Sequence, residues 1–166
     1  MLQFVTVNLL IDTCTWLKLD KLEEESLFKL DKLYSNFAIF ITHDAERELK
    51  YYNCKSYNKS RTTILPIHDN TIYQKAIELE YDEADASILS QGDKNGEMTI
   101  VSEDRMLLLF ARMYGFSSVQ LIDLFKILTE MNLLKNNELY RINKELRRLK
   151  NITKTRFNEI KKWLRL

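Results

Sequence analysis

Glycine and proline are nearly missing from this chain, with three and one in 166 residues, where an average protein gives the pair about 12% of its positions. So few turn-formers exclude collagen-like and linker-rich chains and argue against a turn-dense all-β fold. Cysteine is as scarce. Cys14 and Cys54 stand far apart with no CxxC, and His43 and His68 are the only histidines, too few ligands for a zinc site. Two isolated thiols point to a reducing compartment. Long hydrophobic runs are absent too: the opening MLQFVTVNLLI meets Asp12 with no early basic run, which fits neither a secretory signal nor a membrane span. The expectation is a cytoplasmic protein with no membrane partner.

What remains is 45% hydrophobic and 30% charged, enough to bury one core, with Leu/Lys/Glu-rich stretches in which helix predominates. The net charge of +1 conceals an asymmetry. Residues 141–166 carry ten Lys/Arg and two acids, a local +8, so the remaining 15 basic and 22 acidic residues leave residues 1–140 at −7. An acidic body with a basic tail behaves differently toward polyanions than a uniformly neutral protein does.

Five short apolar runs break the helical background: Phe4 to Ile11, Phe37 to Ile41, Thr62 to Ile67, Met98 to Val101 and Val119 to Ile122. A helical pattern follows each, over 13–34 (broken in two), 43–53, 69–80 and 83–92, 103–114, and 123–133, with a further helical pair over 136–150 and 154–165. Alternation of this kind predicts an α/β fold with a parallel sheet covered by helices. Thr42, Asp69, Asp82, Ser102 and Asp123 are cap-type residues at helix starts, and Gly115 suits a left-handed helix end. The compositional break falls near residue 135, dividing a body over 1–135 from a basic helical extension over 136–166.

In a parallel sheet the ligand crevice lies at the carboxyl ends of the strands, and four acids fall there. Asp12 follows NLLI, placed either to cap a helix or to present a carboxylate at the strand exit. Glu48 shares an apolar face with Ala45, Leu49 and Tyr52, while Glu46 falls on the opposite face with Lys50 and Asn53 and is expected to be solvated. Asp85 aligns with Ile88 and Leu89, opposite Glu83, Ser87 and Ser90; a capping box back to the Asp82 amide is the alternative. Asp104 follows MetThrIleVal-Ser-Glu, in line with Leu107, Leu108 and Ala111, where the helix dipole also favours an acid. Carboxylates on apolar stripes are costly unless something positive satisfies them. A shared hard cation, Mg²⁺ or Mn²⁺, would satisfy all four together and would suit metal-assisted hydrolysis at phosphorus.

LeuLeuIleAspThrCys at 9–14, Thr42 with GluLeu at 48–49, AspGluAlaAspAlaSerIleLeu at 82–89 and IleValSerGluAspArgMetLeu at 100–107 resemble, in order and spacing, the four acidic motifs of PIN-domain nucleases, particularly the VapC-like toxin branch. The resemblance covers roughly residues 5–125. It implies a five-stranded parallel sheet of order 3-2-1-4-5 and a Mg²⁺- or Mn²⁺-dependent endoribonuclease. Asp12, Glu48, Asp85 and Asp104 would be its catalytic and metal-binding residues, with Thr13 and Ser102 as supporting hydroxyls. By the same resemblance the partners would be RNA, an antitoxin protein and a second copy of the chain. The segment Tyr51 to Lys59 and the helices beyond about residue 135 depart from a compact VapC-like toxin. Asp123 stands where some relatives carry a further acid, with an N-cap as its alternative.

Candidate RNA-binding cations are Lys50 and Arg105, beside two of the acids, and Arg147, Arg148, Lys161 and Lys162 in the basic tail. The tail also carries an apolar stripe of Ile142, Leu146, Leu149, Phe157, Ile160, Trp163 and Leu164, which would pack on the body or on a second copy. Tyrosines and His43 could stack on bases or simply fill the surface. Two functions are therefore open, a metal-dependent ribonuclease and a non-catalytic RNA-binding or scaffold module on the same fold. A phospho-acceptor receiver domain is disfavoured because ThrThrIleLeuProIle does not end in the Asp that such a site requires.

Overall fold

Leu9, Leu10 and Ile11 are buried in the first strand, where their branched side chains pack within the core of the sheet. The computed structural model describes residues 7–166; the Phe4 to Thr6 part of the first expected strand lies outside them. Five parallel strands, β1 (Asn8–Ile11), β2 (Ala38–Thr42), β3 (Thr63–Leu65), β4 (Met98–Val101) and β5 (Ser118–Val119), form one sheet in the order β3-β2-β1-β4-β5. This is the expected α/β architecture. Central β1 pairs Leu10 with Phe40 of β2 on one side and with Ile100 of β4 on the other.

Helices connect the strands, α1 (Thr13–Glu24), α2 (Asp31–Tyr34), α3 (His43–Tyr51), α4 (Asn70–Glu78), α5 (Glu83–Leu89) and α6 (Arg105–Met113), and three more follow the last strand, α7 (Leu121–Glu130), α8 (Asn136–Arg148) and α9 (Lys154–Trp163). The expected break between residues 13 and 34 falls after α1, where Ser26 turns the chain with φ 56°. Asp12, Thr42, Asp69 and Asp82 cap their helices through side-chain oxygens. Gly115, at φ 74°, ends α6 in a Schellman arrangement, with Phe116 N donating to Ala111 O and Gly115 N to Arg112 O.

Two boundaries differ from expectation. The fifth strand stops at Val119, because Leu121 and Ile122 turn their buried apolar side chains inward in the first turn of α7. Asp123 consequently lies inside that turn and pairs with Arg156; Gln120 occupies the cap position. Much of the C-terminal stripe packs within this chain, although Trp163 stays 37% exposed. Leu139, Ile142, Leu146, Ile160 and Leu164 are buried and belong to the same core cluster as β1, β4 and α7. No helix among the described residues is long and apolar enough to cross a membrane.

Candidate active site

The chain runs from β1 outward through β2 to β3, then returns to the other side of β1 to lay down β4 and β5. The β1/β4 boundary is therefore the topological switch point, and the crevice beyond the carboxyl ends of these two strands is the ordinary ligand position of an open α/β sheet. Asp12 and Ser102 are the residues that leave those two strands. Asp12 N donates to Val101 O at 3.1 Å and Ser102 N donates to Val119 O at 3.1 Å, which fixes both at the sheet's edge.

Asp12 is 1% exposed. Its Oδ1 accepts from Thr15 N at 2.7 Å, capping α1, and its Oδ2 accepts from Ser102 Oγ at 2.5 Å. Ser102 Oγ in turn accepts from Asp104 N at 2.9 Å. The expectation that Ser102 caps the following helix is corrected here: the cap is Asp104, whose Oδ1 accepts from Met106 N at 2.6 Å and Leu107 N at 3.1 Å. Turned toward Asp12, the serine hydroxyl instead links the first acid to the turn that carries the fourth.

Asp85 on α5 and Glu48 on α3 are both partly exposed. Asp82 Oδ1 accepts from Asp85 N at 2.8 Å, but the return bond of a capping box is not made. α5 is buried more deeply than a two-faced helix predicts. Ser87 and Ser90, expected on its polar face, are both 1% exposed. Ser87 Oγ lies 2.6 Å from Thr42 Oγ1, which joins α5 to the start of α3.

Burial pushes the Asp12 carboxyl up to about 6, against the hydrogen bonds from Ser102 and Thr15, and the Asp104 charge adds to the rise. Asp85 is pushed up to about 7, first by burial and then by the charges of Asp82, Asp12, Asp104 and Glu48. The Cys14 thiol, raised to about 11 by burial, also feels Asp12, Asp85, Asp104 and Glu48. One side chain thus senses all four acids. None of the four has a Lys, Arg or His within ion-pair distance among the described residues, whereas nearby Asp44, Glu46 and Glu83 all do.

The four side chains share one neighbourhood without closing on a single point. Among the described residues no three His, Cys, Asp or Glu side chains are gathered tightly enough to hold an ion as they stand. Their chemistry nevertheless fits Mg²⁺ or Mn²⁺: the donors are all carboxylate oxygens, charges of one sign lack counter-ions, and Mg²⁺ ordinarily takes one or two carboxylates while keeping several waters. Next to Asp12, the Thr13 hydroxyl is buried with no hydrogen-bond partner, a polar group that calls for a ligand or water.

A fifth acid joins this end of the sheet, and sequence reasoning passed over it. Glu103 Oε1 accepts from Leu121 N at 2.8 Å, and its other oxygen accepts from Asn151 Nδ2. Burial raises its carboxyl to about 7, and the Asp12 charge contributes. The only local sign was an acid between Ser102 and Asp104. Glu46 is also corrected: it is 5% exposed rather than solvated. The segment after α3 folds over that face and brings Tyr57 Oη to 3.1 Å of Glu46 and Lys59 Nζ to 3.5 Å. Burial raises the Glu46 carboxyl, but the bonds from Lys50 and Tyr57 and the charges of Lys50 and Lys59 outweigh it and hold it low.

The candidate RNA-binding cations divide. Lys50 lies 3.0 Å from Glu46 Oε2, Arg147 Nη1 donates to Ile152 O at 3.1 Å, and Arg148 holds Glu145 through two nitrogens. Arg105 and Lys162 are exposed and Lys161 partly so. These three have no ion-pair partner among the described residues. His43 is exposed at the start of α3. The sequence matches no protein-family model and no curated protein.

Proposed function

We propose that this protein is a metal-dependent endoribonuclease of PIN-like type that hydrolyses RNA phosphodiester bonds at the Asp12, Glu48, Asp85 and Asp104 carboxylates. The observation that carries the reading is the position of these acids. Asp12 and Asp104, joined by the Ser102 hydroxyl, stand at the switch point between β1 and β4, and no basic side chain among the described residues neutralises any of the four. Charges left uncompensated at a ligand crevice are more readily explained by a cation than by the fold's own stability.

Asp12, Glu48, Asp85 and Asp104 would hold Mg²⁺ or Mn²⁺. A bound ion supplies electrostatic stabilisation to the phosphoryl oxygens and to the leaving oxygen. The chain's own residues do the rest. Ser102 orients Asp12, and the α1 and α6 caps fix Asp12 and Asp104 against the sheet. Asp85 makes no hydrogen bond through its carboxylate among the described residues, which leaves both of its oxygens available to an ion. The substrate partner is RNA. The VapC-like resemblance adds an antitoxin protein that covers the site, a second copy of the chain, and the cytoplasm as its place of action.

One observation favours a non-catalytic RNA-binding module instead: Asp12 and Asp104 already cap α1 and α6, so both acids have a structural use. Cleavage assays separate the two readings. The purified protein should cut single-stranded RNA with Mg²⁺ or Mn²⁺ and stop in EDTA, and Asp12→Asn or Asp104→Asn should abolish cutting while the protein stays folded, since Asn also caps helices well. Undiminished cleavage in EDTA, or full activity in both variants, overturns the metal site; RNA binding with no cleavage in any condition overturns the enzyme in favour of the binding module.

A further inference from the structure

We infer that the groove between α6 and the turn entering α9 carries a single strand of RNA to or from the candidate site. This rests on the nuclease reading and adds a binding path to it. The groove, about 490 Å³ in volume, is lined by Arg105, Met106, Leu109 and Arg112 of α6 on one side and by the first residues of α9 on the other. It starts beside the acids, because Arg105 directly follows Asp104, the α6 cap. Gln120, the residue after β5, also lines it, so the groove continues the crevice along the carboxyl edge of the sheet.

The charge on its walls selects the occupant. Arg105 and Arg112 are exposed and have no ion-pair partner among the described residues. Seven residues apart on one helix, they stand roughly 10 Å from each other along its axis. Glu159 is the sole acid of the lining, and Arg156 Nη1 already holds it at 2.8 Å. Two uncompensated guanidinium groups facing a groove suit phosphates, which they can grip bidentately. Between them Met106 is 60% and Leu109 49% exposed, apolar surface of the kind that the faces of unstacked bases can cover. A duplex hides those faces, so the fit is to a single strand.

The far wall is firmly attached. Asn151 bonds to Glu103, and Arg156 bonds to Asp123 at the start of α7, so the C-terminal helices form the groove as a fixed wall beside the acids. In this arrangement the extension's contribution to RNA binding lies in shaping the groove. Three of its ten cations, Arg147, Arg148 and Arg156, are turned to carboxylates or carbonyls.

The test measures binding of a fluorescently labelled single-stranded RNA over a range of salt concentrations, in Mg²⁺, on the full-length Asp104→Asn chain so that cleavage does not interfere. Added to that background, Arg105→Ala and Arg112→Ala should each flatten the slope of log K against log salt by about 0.7, the loss of one phosphate contact to a single strand. Lys94→Ala, at the opposite edge of the sheet in the turn before β4, should leave the slope unchanged. If both arginine variants keep the parent slope, the groove holds something else, a protein helix included, and the inference is overturned. Cleavage by the wild-type chain is scored separately: if it cuts RNA while the slopes do not move, the groove alone fails; if it neither binds nor cuts RNA, the nuclease reading fails first and takes the groove with it.

Discussion

At the scale of single residues, Asp12 has both carboxylate oxygens hydrogen-bonded and yet titrates high, because burial outweighs the two donors. Asp85, whose carboxylate has no such donors, is raised to about 7, first by burial and then by the neighbouring acids. An acid whose pKa is higher in the folded than in the unfolded chain adds stability in full below its unfolded value, and that stability is lost as pH rises through the folded value. In metal-free buffer the melting temperature should therefore fall as pH is raised from about 4 to about 7. Asp12→Asn should flatten part of that decline, and Mg²⁺ or Mn²⁺ should restore stability near neutral pH. Thermal melts in EDTA and in Mn²⁺ check this; a melting temperature that rises or stays flat over that range contradicts the burial of uncompensated carboxylates. The alignment of Asp12, Asp85 and Asp104 with strand exits and apolar stripes was legible in the sequence. Glu46 was not, because its burial depends on Tyr57 and Lys59 folding back over α3, a contact that helical periodicity does not encode. Glu103 was hidden for a similar reason: its partners, Leu121 and Asn151, belong to distant elements.

At the scale of elements, order and type followed from periodicity and caps, and short boundaries did not. The run from Val119 to Ile122 reads equally well as a strand or as the start of a helix, and the division falls after Val119, where Leu121 N donates to the Glu103 carboxylate instead of to a neighbouring strand. The turn after α5 shows how closely elements approach. A Cβ at Gly92 would run into the Phe116 ring, so Gly92→Ala should destabilise the protein by about 1–3 kcal/mol through overpacking, read from urea unfolding. The C-terminal helices are the larger case. Leu146 is 0% exposed in the shared core, and Leu146→Ala should cost about 2–5 kcal/mol. Removal of residues 136–166 should expose the face that α8 and α9 cover and drive the chain to aggregate, which size-exclusion chromatography would detect; a well-folded, soluble truncation would contradict the packing.

At the scale of the whole molecule, the division of a +1 chain into a −7 body and a +8 tail first reads as a basic arm for a polyanion. Glu145 and Glu159, the two acids already counted in that +8, hold Arg148 and Arg156, so the tail keeps its net charge, while the unpaired arginines of the groove lie on α6, inside the acidic body. Sheet order was legible only through the resemblance of the four motifs, since composition says nothing about which strands are neighbours. Once the order is known, the switch point and the acids beside it follow from topology.

The central claim is that these four carboxylates work together through a cation on RNA. The measurement that tests it most directly is the initial rate of single-stranded RNA cleavage by the wild-type, Asp12→Asn and Asp104→Asn proteins, each in Mn²⁺ and in EDTA. The account predicts cleavage by the wild type in Mn²⁺ alone and none by either variant under any condition. Equal rates in EDTA and Mn²⁺, or wild-type rates from the two variants, would contradict it.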